Sequence, residues 1–206
     1  MTVRLLVTGF EPFPGAPVNP TERLVRHFEN EPPLADEDVA CRFAVLPVDY
    51  GQAIPALERV SAVFRPHVAV HFGLAREARG FRLERRARTG IGADIPDNAG
   101  NRPGRCEIRA GRGHVPSGLP LNAMEAALRD AGHAVEWSDD AGGYLCNYVF
   151  FHSAAGLCRG LETARSGFVH VGPVAMPGKP DGAGLPGFGE LVRGAEIVLR
   201  ASISGL

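Results

Sequence analysis

The sequence lacks several features, and each absence removes a class of function. Its 206 residues include four cysteines, at positions 41, 106, 146 and 158, with no C-x-x-C pair and no metal-finger spacing. That pattern argues against a disulfide framework or a zinc ribbon and leaves free thiols as the expectation. Twenty-two basic residues face 23 acidic ones, a formal net charge of −1, so no global field draws the chain to nucleic acid. Only Lys179 among the basic residues is a lysine, a compositional bias that carries no functional argument. No apolar run approaches the ~20 residues of a membrane span. Residues 1–9 lack the positive leader and cleavage site of an export signal and read as a first buried strand. The expectation is a cytoplasmic protein with no membrane or nucleic-acid partner.

What the chain does have is ordinary for a globular protein: 45% hydrophobic and 22% charged residues, at a length that suits one domain over residues 1–206. Short runs rich in Val, Leu, Ile and Phe alternate with amphipathic stretches, the mark of βα units. Strands are expected at 3–8, 39–48, 68–72, 134–138 and 167–171, with a short polar-alternating strand at 81–87. Helices are expected at 21–28, 52–64, 121–131, about 146–159 and 188–201. Residues 89–118 are dense in Gly, Pro, Asp, Asn and Arg and read as a lid or substrate-side loop with short strands. Residues 173–186 form a second loop rich in Gly and Pro. This is an α/β fold with a mostly parallel sheet covered on both faces.

Cys146 follows the glycine pair Gly142-Gly143 and opens an apolar helical run. At a helix N-terminus the dipole and unpaired N–H groups favour a thiolate and can stabilise an oxyanion. The competing reading is a small buried hydrophobe, which suits Cys158, twelve residues on in the same expected helix, better. His170 closes the strand 167–171 just before Gly172-Pro173, at the edge where α/β sheets place ligands. Of the other histidines, His27 and His133 look like surface positions. His67 and His71 look structural, and His152 lies in the helix after Cys146. Glu84 sits among Arg82, Arg85, Arg86 and Arg88 and, taken alone, reads as part of a solvated ion-pair cluster. Beside a histidine it would instead orient the ring and stabilise an imidazolium.

Several ordered motifs resemble the pyroglutamyl peptidase I family of cysteine peptidases. They are Gly9-Phe10-Glu11-Pro12-Phe13-Pro14-Gly15 with Asn19-Pro20, Gly73-x-Ala75 with Leu83-Glu84-Arg85-x-Ala87, and Ile95-Pro96-Asp97-Asn98-x-Gly100. Leu119-Pro120, Ala141-Gly142-x-Tyr144-x-Cys146-Asn147-x-Val149-Phe150 and Gly167-Phe168-Val169-His170-Val171 complete the set. The resemblance implies a three-layer α/β/α sandwich with a mixed, mostly parallel twisted sheet, of a phosphorylase- or hydrolase-like kind. It implies a catalytic set of Cys146, His170 and Glu84, and no metal or cofactor. It places Phe10, Phe13, Asn19, Leu74 and Leu145 at the substrate, a small peptide with a blocked N-terminus. It also implies a homo-oligomer, tetrameric in bacterial relatives.

The sequence departs from the family pattern at residues 74–78, where it reads Leu-Ala-Arg-Glu-Ala, at Thr89, at Gly172 and at Pro14. These departures point to pocket walls that differ from the family's. Besides the omega-peptidase, two readings follow: a cysteine amidohydrolase acting on another small acyl amide, and a non-catalytic homologue. A nucleoside phosphorylase is suggested by fold analogy alone, which is a poor guide to function.

Overall fold

The computed structural model describes residues 2–35, 38–92, 94–176 and 184–205. Part of the expected loop at 173–186, including Lys179, lies outside the described residues.

A six-stranded sheet carries the architecture. It is built from β1 (Val3–Phe10), β2 (Val39–Leu46), β3 (Val68–Leu74), β4 (Phe81–Glu84), β9 (Val135–Ser138) and β10 (Arg165–Val171), in the order β2-β1-β3-β10-β4-β9. The first four strands in that order are mutually parallel. β4 runs against β10 and parallel to β9, so the sheet is mixed and mostly parallel, as expected. Five helices cover it: α1 (Pro20–Asn30), α2 (Ala53–Phe64), α3 (Leu121–Asp130), α4 (Leu145–Ala154) and α5 (Phe188–Ser202). Among the described residues no helix is long and apolar enough to cross a membrane.

Strand alternation sorts the two faces. Leu5 and Val7 of β1, Val68, Val70 and Phe72 of β3, Leu83 of β4, and Val169 and Val171 of β10 point to one side, against Leu24 and Phe28 of α1, Met124 of α3 and Val198 of α5. Leu6 and Phe10, Ala69 and Phe168 point to the other, against Leu57 of α2 and Val149 and Phe150 of α4. Burying one such Leu or Phe contributes roughly 1.5–3 kcal/mol. The second face also carries the chain's chemistry: Thr8, His71, Gly73, Glu84 and His170 share its parity.

Several boundaries differ from the expectation for local reasons. The second strand stops at Leu46 because Pro47 cannot donate to the ladder. The segment 81–87 is two strands. Arg85 is the junction: its N–H still donates to Ser138 O at the end of β9, its carbonyl accepts from Ser117 N–H, and β5 (Arg86–Arg88) pairs with β8 (His114–Pro116). Helix α4 ends at Ala154, not near 159, because Gly156 at φ 64° turns the chain into a left-handed cap, with Leu157 N–H donating to His152 O. Cys158 therefore lies beyond that helix, buried. His27 and His133 are half-buried rather than on the surface, packed against the rings of Phe188 and Phe81. The long segment does contain short strands, β6 (Gly90–Ile91) and β7 (Cys106–Glu107) as well as β5 and β8.

His71 is structural, as expected. Fully buried, it bonds Thr8 Oγ1 through Nδ1 at 2.7 Å and Ser153 Oγ through Nε2 at 2.8 Å, and Ser153 in turn bonds Ser166. Burial pushes its pKa down to about 3. The unfolded chain takes up a proton at this histidine near its ordinary value of about 6.5, and the folded chain does not until about 3. Stability therefore falls as pH drops through that window. Urea unfolding should show a lower midpoint at pH 5 than at pH 7, and most of that difference should vanish in His71→Gln.

Candidate active site

At the carboxyl ends of β3 and β10, on the α4 face, the sheet brings together residues far apart in sequence. His170 and Gly73 are register partners on adjacent parallel strands. Across the antiparallel junction His170 pairs with Arg82, and Phe168 with Glu84. Glu84 and His170 are thus diagonal neighbours on one face, within reach of each other's side chains. Glu84 Oε1 accepts a hydrogen bond from His170 Nδ1 at 2.7 Å, with the carboxylate 0% and the histidine 5% exposed. Glu84 Oε2 has no hydrogen-bond partner among the described residues. A carboxylate so placed depends on its one charged neighbour.

The arginines around Glu84 do not solvate it. Arg85 and Arg86 pair with Asp139, Arg88 with Asp140 and Arg82 with Glu136. The ion-pair cluster expected from the sequence exists, but Glu84 is not in it. Strand alternation turns the carboxylate inward while the charges that flank it turn out.

Cys146 is the second residue of α4, after the N-cap Tyr144. The first bond of the helix ladder runs from Tyr148 N–H to Tyr144 O, so the N–H groups of Leu145, Cys146 and Asn147 precede it. Burial works to lower the pKa of His170. The negative charge and hydrogen-bonding contact of Cys146, then those of Glu84, outweigh it and raise the histidine to about 9. The imidazolium is therefore held between a sulfur and a carboxylate.

A cavity of about 610 Å³ opens over this group. Of the residues expected from the sequence, Cys146, His170, Phe10, Phe13, Leu74, Leu145 and Asn19 line it, whereas Glu84 is hydrogen-bonded to His170 and does not reach the cavity. Asn19 keeps its polar atoms for the fold. Its Oδ1 accepts from Thr21 N–H and Oγ1–H, and its Nδ2 donates to Glu11 O, so it caps α1 and ties down the loop that carries Phe13. Of the expected departures in the pocket walls, Pro14, Leu74, Ala75, Arg76 and Glu77 line the cavity. Thr89 does not: its hydroxyl bonds Arg109 on both sides, inside the long segment. That segment closes one side of the cavity through Ile95. Asp97 organises it by accepting from the N–H groups of Tyr50, Ala99 and Asn101, and Asn98 bonds Val48 O and Pro12 O.

Two positioning residues escaped the sequence reading. Buried Asn147 accepts from Arg88 N–H and donates to Arg88 O and Gly90 O, bolting the start of α4 to β5 and β6. Arg88 Nε donates to Gly142 O in the turn before the helix. The available signal was one amide in the apolar run Leu-Cys-Asn-Tyr-Val-Phe-Phe.

A sequence model of the pyroglutamyl peptidase family matches residues 3–189. The chain belongs to this family of cysteine peptidases. It is 37% identical over 170 residues to the pyrrolidone-carboxylate peptidase of Pyrococcus furiosus, covering 82% of this chain and 80% of that one. It is 33% identical over 204 residues to pyrrolidone-carboxylate peptidase 1 of Ralstonia nicotianae, covering 97% and 92%. The fold superposes on the crystal structure of the Pyrococcus furiosus pyrrolidone carboxyl peptidase with a TM-score of 0.83 at 30% identity, over 98% of both chains. For the Thermococcus litoralis enzyme the TM-score is 0.85 at 30% identity, over 98% of this chain and 93% of that one. Within this pyroglutamyl peptidase fold the four thiols differ sharply in environment. Burial pushes Cys41 up to about 11 and Cys158 up to about 12, whereas Cys106 is exposed and Cys146 faces the cavity.

Iodoacetamide labelling followed by peptide mass mapping at pH 7.5 should therefore modify Cys146 fastest, ahead of exposed Cys106, and leave Cys41 and Cys158 unmodified. In His170→Ala the Cys146 rate should fall to that of Cys106 or below.

Proposed function

We propose that this protein is a cysteine omega-peptidase that hydrolyses the amide bond after an N-terminal pyroglutamyl residue, with Cys146 as nucleophile, His170 as acid and base, and Glu84 as the supporting carboxylate. The observation that carries this reading is the buried Glu84–His170 pair beside Cys146 at a helix start, under an apolar cavity.

The chemistry follows from the charges. With His170 holding a proton, the Cys146 sulfur attacks the pyroglutamyl carbonyl carbon, and the electron pair of the C=O bond moves to oxygen. The N–H groups at residues 145–147, free of the helix ladder, receive that oxyanion. His170 passes its proton to the leaving amine nitrogen, the C–N bond breaks and a thioester remains. A water molecule then gives a proton to His170 as its oxygen attacks the thioester carbon, releasing pyroglutamate and returning the proton to the thiolate–imidazolium pair. Glu84 keeps the ring in the tautomer that points Nδ1–H at itself and stabilises the charge the ring carries.

Selectivity has an electrostatic basis. A pyroglutamyl ring is neutral and flat, whereas a prolyl residue of the same ring size carries an ammonium charge. The apolar walls Phe10, Phe13, Leu74 and Leu145 suit the flat neutral ring and offer no partner to an ammonium, for which Glu77 is the one carboxylate lining the cavity among the described residues, so the lactam enters at a lower desolvation cost. The apolar Leu74 in the wall also supports a second reading, a preference for another small neutral acyl group, which a panel of acyl amides would separate from the first. On the main reading the enzyme is a cytoplasmic, single-domain protein spanning residues 1–206. It works as a homo-oligomer, a tetramer by family resemblance, which sedimentation equilibrium tests directly.

A chromogenic pyroglutamyl amide should be cleaved, the matching prolyl amide should not, and Cys146→Ala should abolish turnover. A folded wild-type protein inert on the first substrate sinks the proposal. The pH profile gives a second test. The imidazolium proton needed by the leaving amine is lost as pH rises through about 9, so kcat/KM should decline on that side. Glu84→Gln removes one of the two groups that raise His170, so the alkaline limb should move to lower pH while the rate falls about 10²- to 10⁴-fold. The same shift makes the pair stabilising below about pH 6.5, with that contribution lost as pH rises through about 9.

A further inference from the structure

The space the Cys146 thiol occupies is one that a side chain at position 73 would fill. Gly73 is the register partner of His170 on the neighbouring strand and faces the same side of the sheet. A Cβ built on Gly73 would lie 2.8 Å from Cys146 Sγ, and 2.7 and 2.8 Å from Cζ and Cε1 of Phe168. Real Cβ atoms are not found that close to such neighbours, so one of the two would have to move. Glycine inside a strand costs stability, and it persists where another group approaches the backbone.

Which neighbour would yield is decided by packing. The Phe168 ring is 0% exposed and boxed in by four others: His170 at 4.8 Å between centroids, Phe150 at 5.9 Å, Phe10 at 6.2 Å and His71 at 6.3 Å. The backbone of β3 is held on one side by β1 and on the other by β10. Cys146, by contrast, is half-buried, faces the cavity and turns on a single side-chain torsion. Any atom added at position 73 therefore drives the sulfur outward, away from the imidazole.

We propose that Gly73 is the positioning residue of this site: its missing side chain is the seat that holds the Cys146 thiol beside His170. Gly73 does not line the cavity and acts through the sulfur alone. The proposal rests on Cys146 being the nucleophile, but two of its readouts need no substrate.

The test is Gly73→Ala, followed by iodoacetamide labelling of Cys146, by thermal melting and by kinetics on a pyroglutamyl amide. Labelling and kcat should each fall about 10- to 100-fold, with KM changed by less than about two-fold, because the thiol is displaced while the walls stay in place. Adding Phe168→Leu removes the ring contact and should leave labelling slow, because the clash with the sulfur remains. In a Cys146→Ala background Gly73→Ala should lower the melting temperature less than it does with the thiol present. Unchanged labelling in a folded Gly73→Ala protein overturns the proposal. So does labelling that recovers together with stability in the Phe168 double variant, or a melting penalty that ignores the thiol. If Gly73→Ala alone does not fold, recovery of folding in the Cys146→Ala background supports the proposal, and failure in both backgrounds overturns it. A wild-type protein that leaves pyroglutamyl amides intact would defeat the functional reading while the labelling and melting comparisons still judged Gly73.

Discussion

A carboxylate with no exposure to water and one charged partner is an expensive thing to bury, and Glu84 is such a group. Its only hydrogen-bond partner among the described residues is His170. The histidine is itself only 5% exposed, so little of it can be solvated in the carboxylate's place. Much of the surrounding structure serves to keep these two in register. β4 must run against β10 to bring Glu84 opposite Phe168, and β9 must hold β4 from the far side. The arginines of the same segment must find their acids elsewhere, at Asp139, Asp140 and Glu136. Without that division of charges Glu84 would compete for arginine at the surface and His170 would lose its reason to carry a proton.

The sheet also separates duties by face. One face is aliphatic and aromatic throughout, packed by α1, α3 and α5, and supplies cohesion. The other alternates bulk with small or polar side chains. Thr8, His71 and Ser166 build a buried hydrogen-bonded cluster with Ser153 of α4, and Gly73, His170 and Glu84 form the candidate site. The two groups share β3, where His71 and Gly73 are two residues apart, and β10, where Ser166 and His170 are four apart, yet their histidines shift in opposite senses although burial lowers both. His71, with only hydroxyl partners, falls to about 3, and His170, beside Cys146 and Glu84, rises to about 9. Burial alone therefore does not set a histidine's charge; its partners do.

The strands at 3–10, 68–74 and 165–171 were legible because buried parallel strands write themselves as unbroken apolar runs. Cys146 was legible as the start of a helix, and His170 as the end of a strand. Glu84 was legible only through the family resemblance, since its immediate neighbours Arg85, Arg86 and Arg88 describe a surface, and what turns it inward is pairing with a strand more than eighty residues away. The short strands of residues 86–116 were equally opaque in detail. They are two or three residues long and are held by Asn147, Thr89 and Asp97 rather than by their own pattern. The end of α4 and the break at Arg85 were misjudged by a few residues, each through a single backbone event: a left-handed glycine in one case, a switch of hydrogen-bond partner in the other.

The diagonal placement of Glu84 and His170 on hydrogen-bonded strands has a thermal consequence. Their separation is set by the ladder of the central sheet, which opens only when the molecule unfolds. The walls that grip the ring of a substrate are different. Phe13 stands on a loop held by Asn19 and Ala16, and Ile95 on a segment clamped by Asp97 and Asn98. On heating, those loops loosen first. On the proposed function the hold on the substrate should then weaken while the Glu84–His170 pair is still intact, so KM should climb over a range of temperature in which kcat continues to rise.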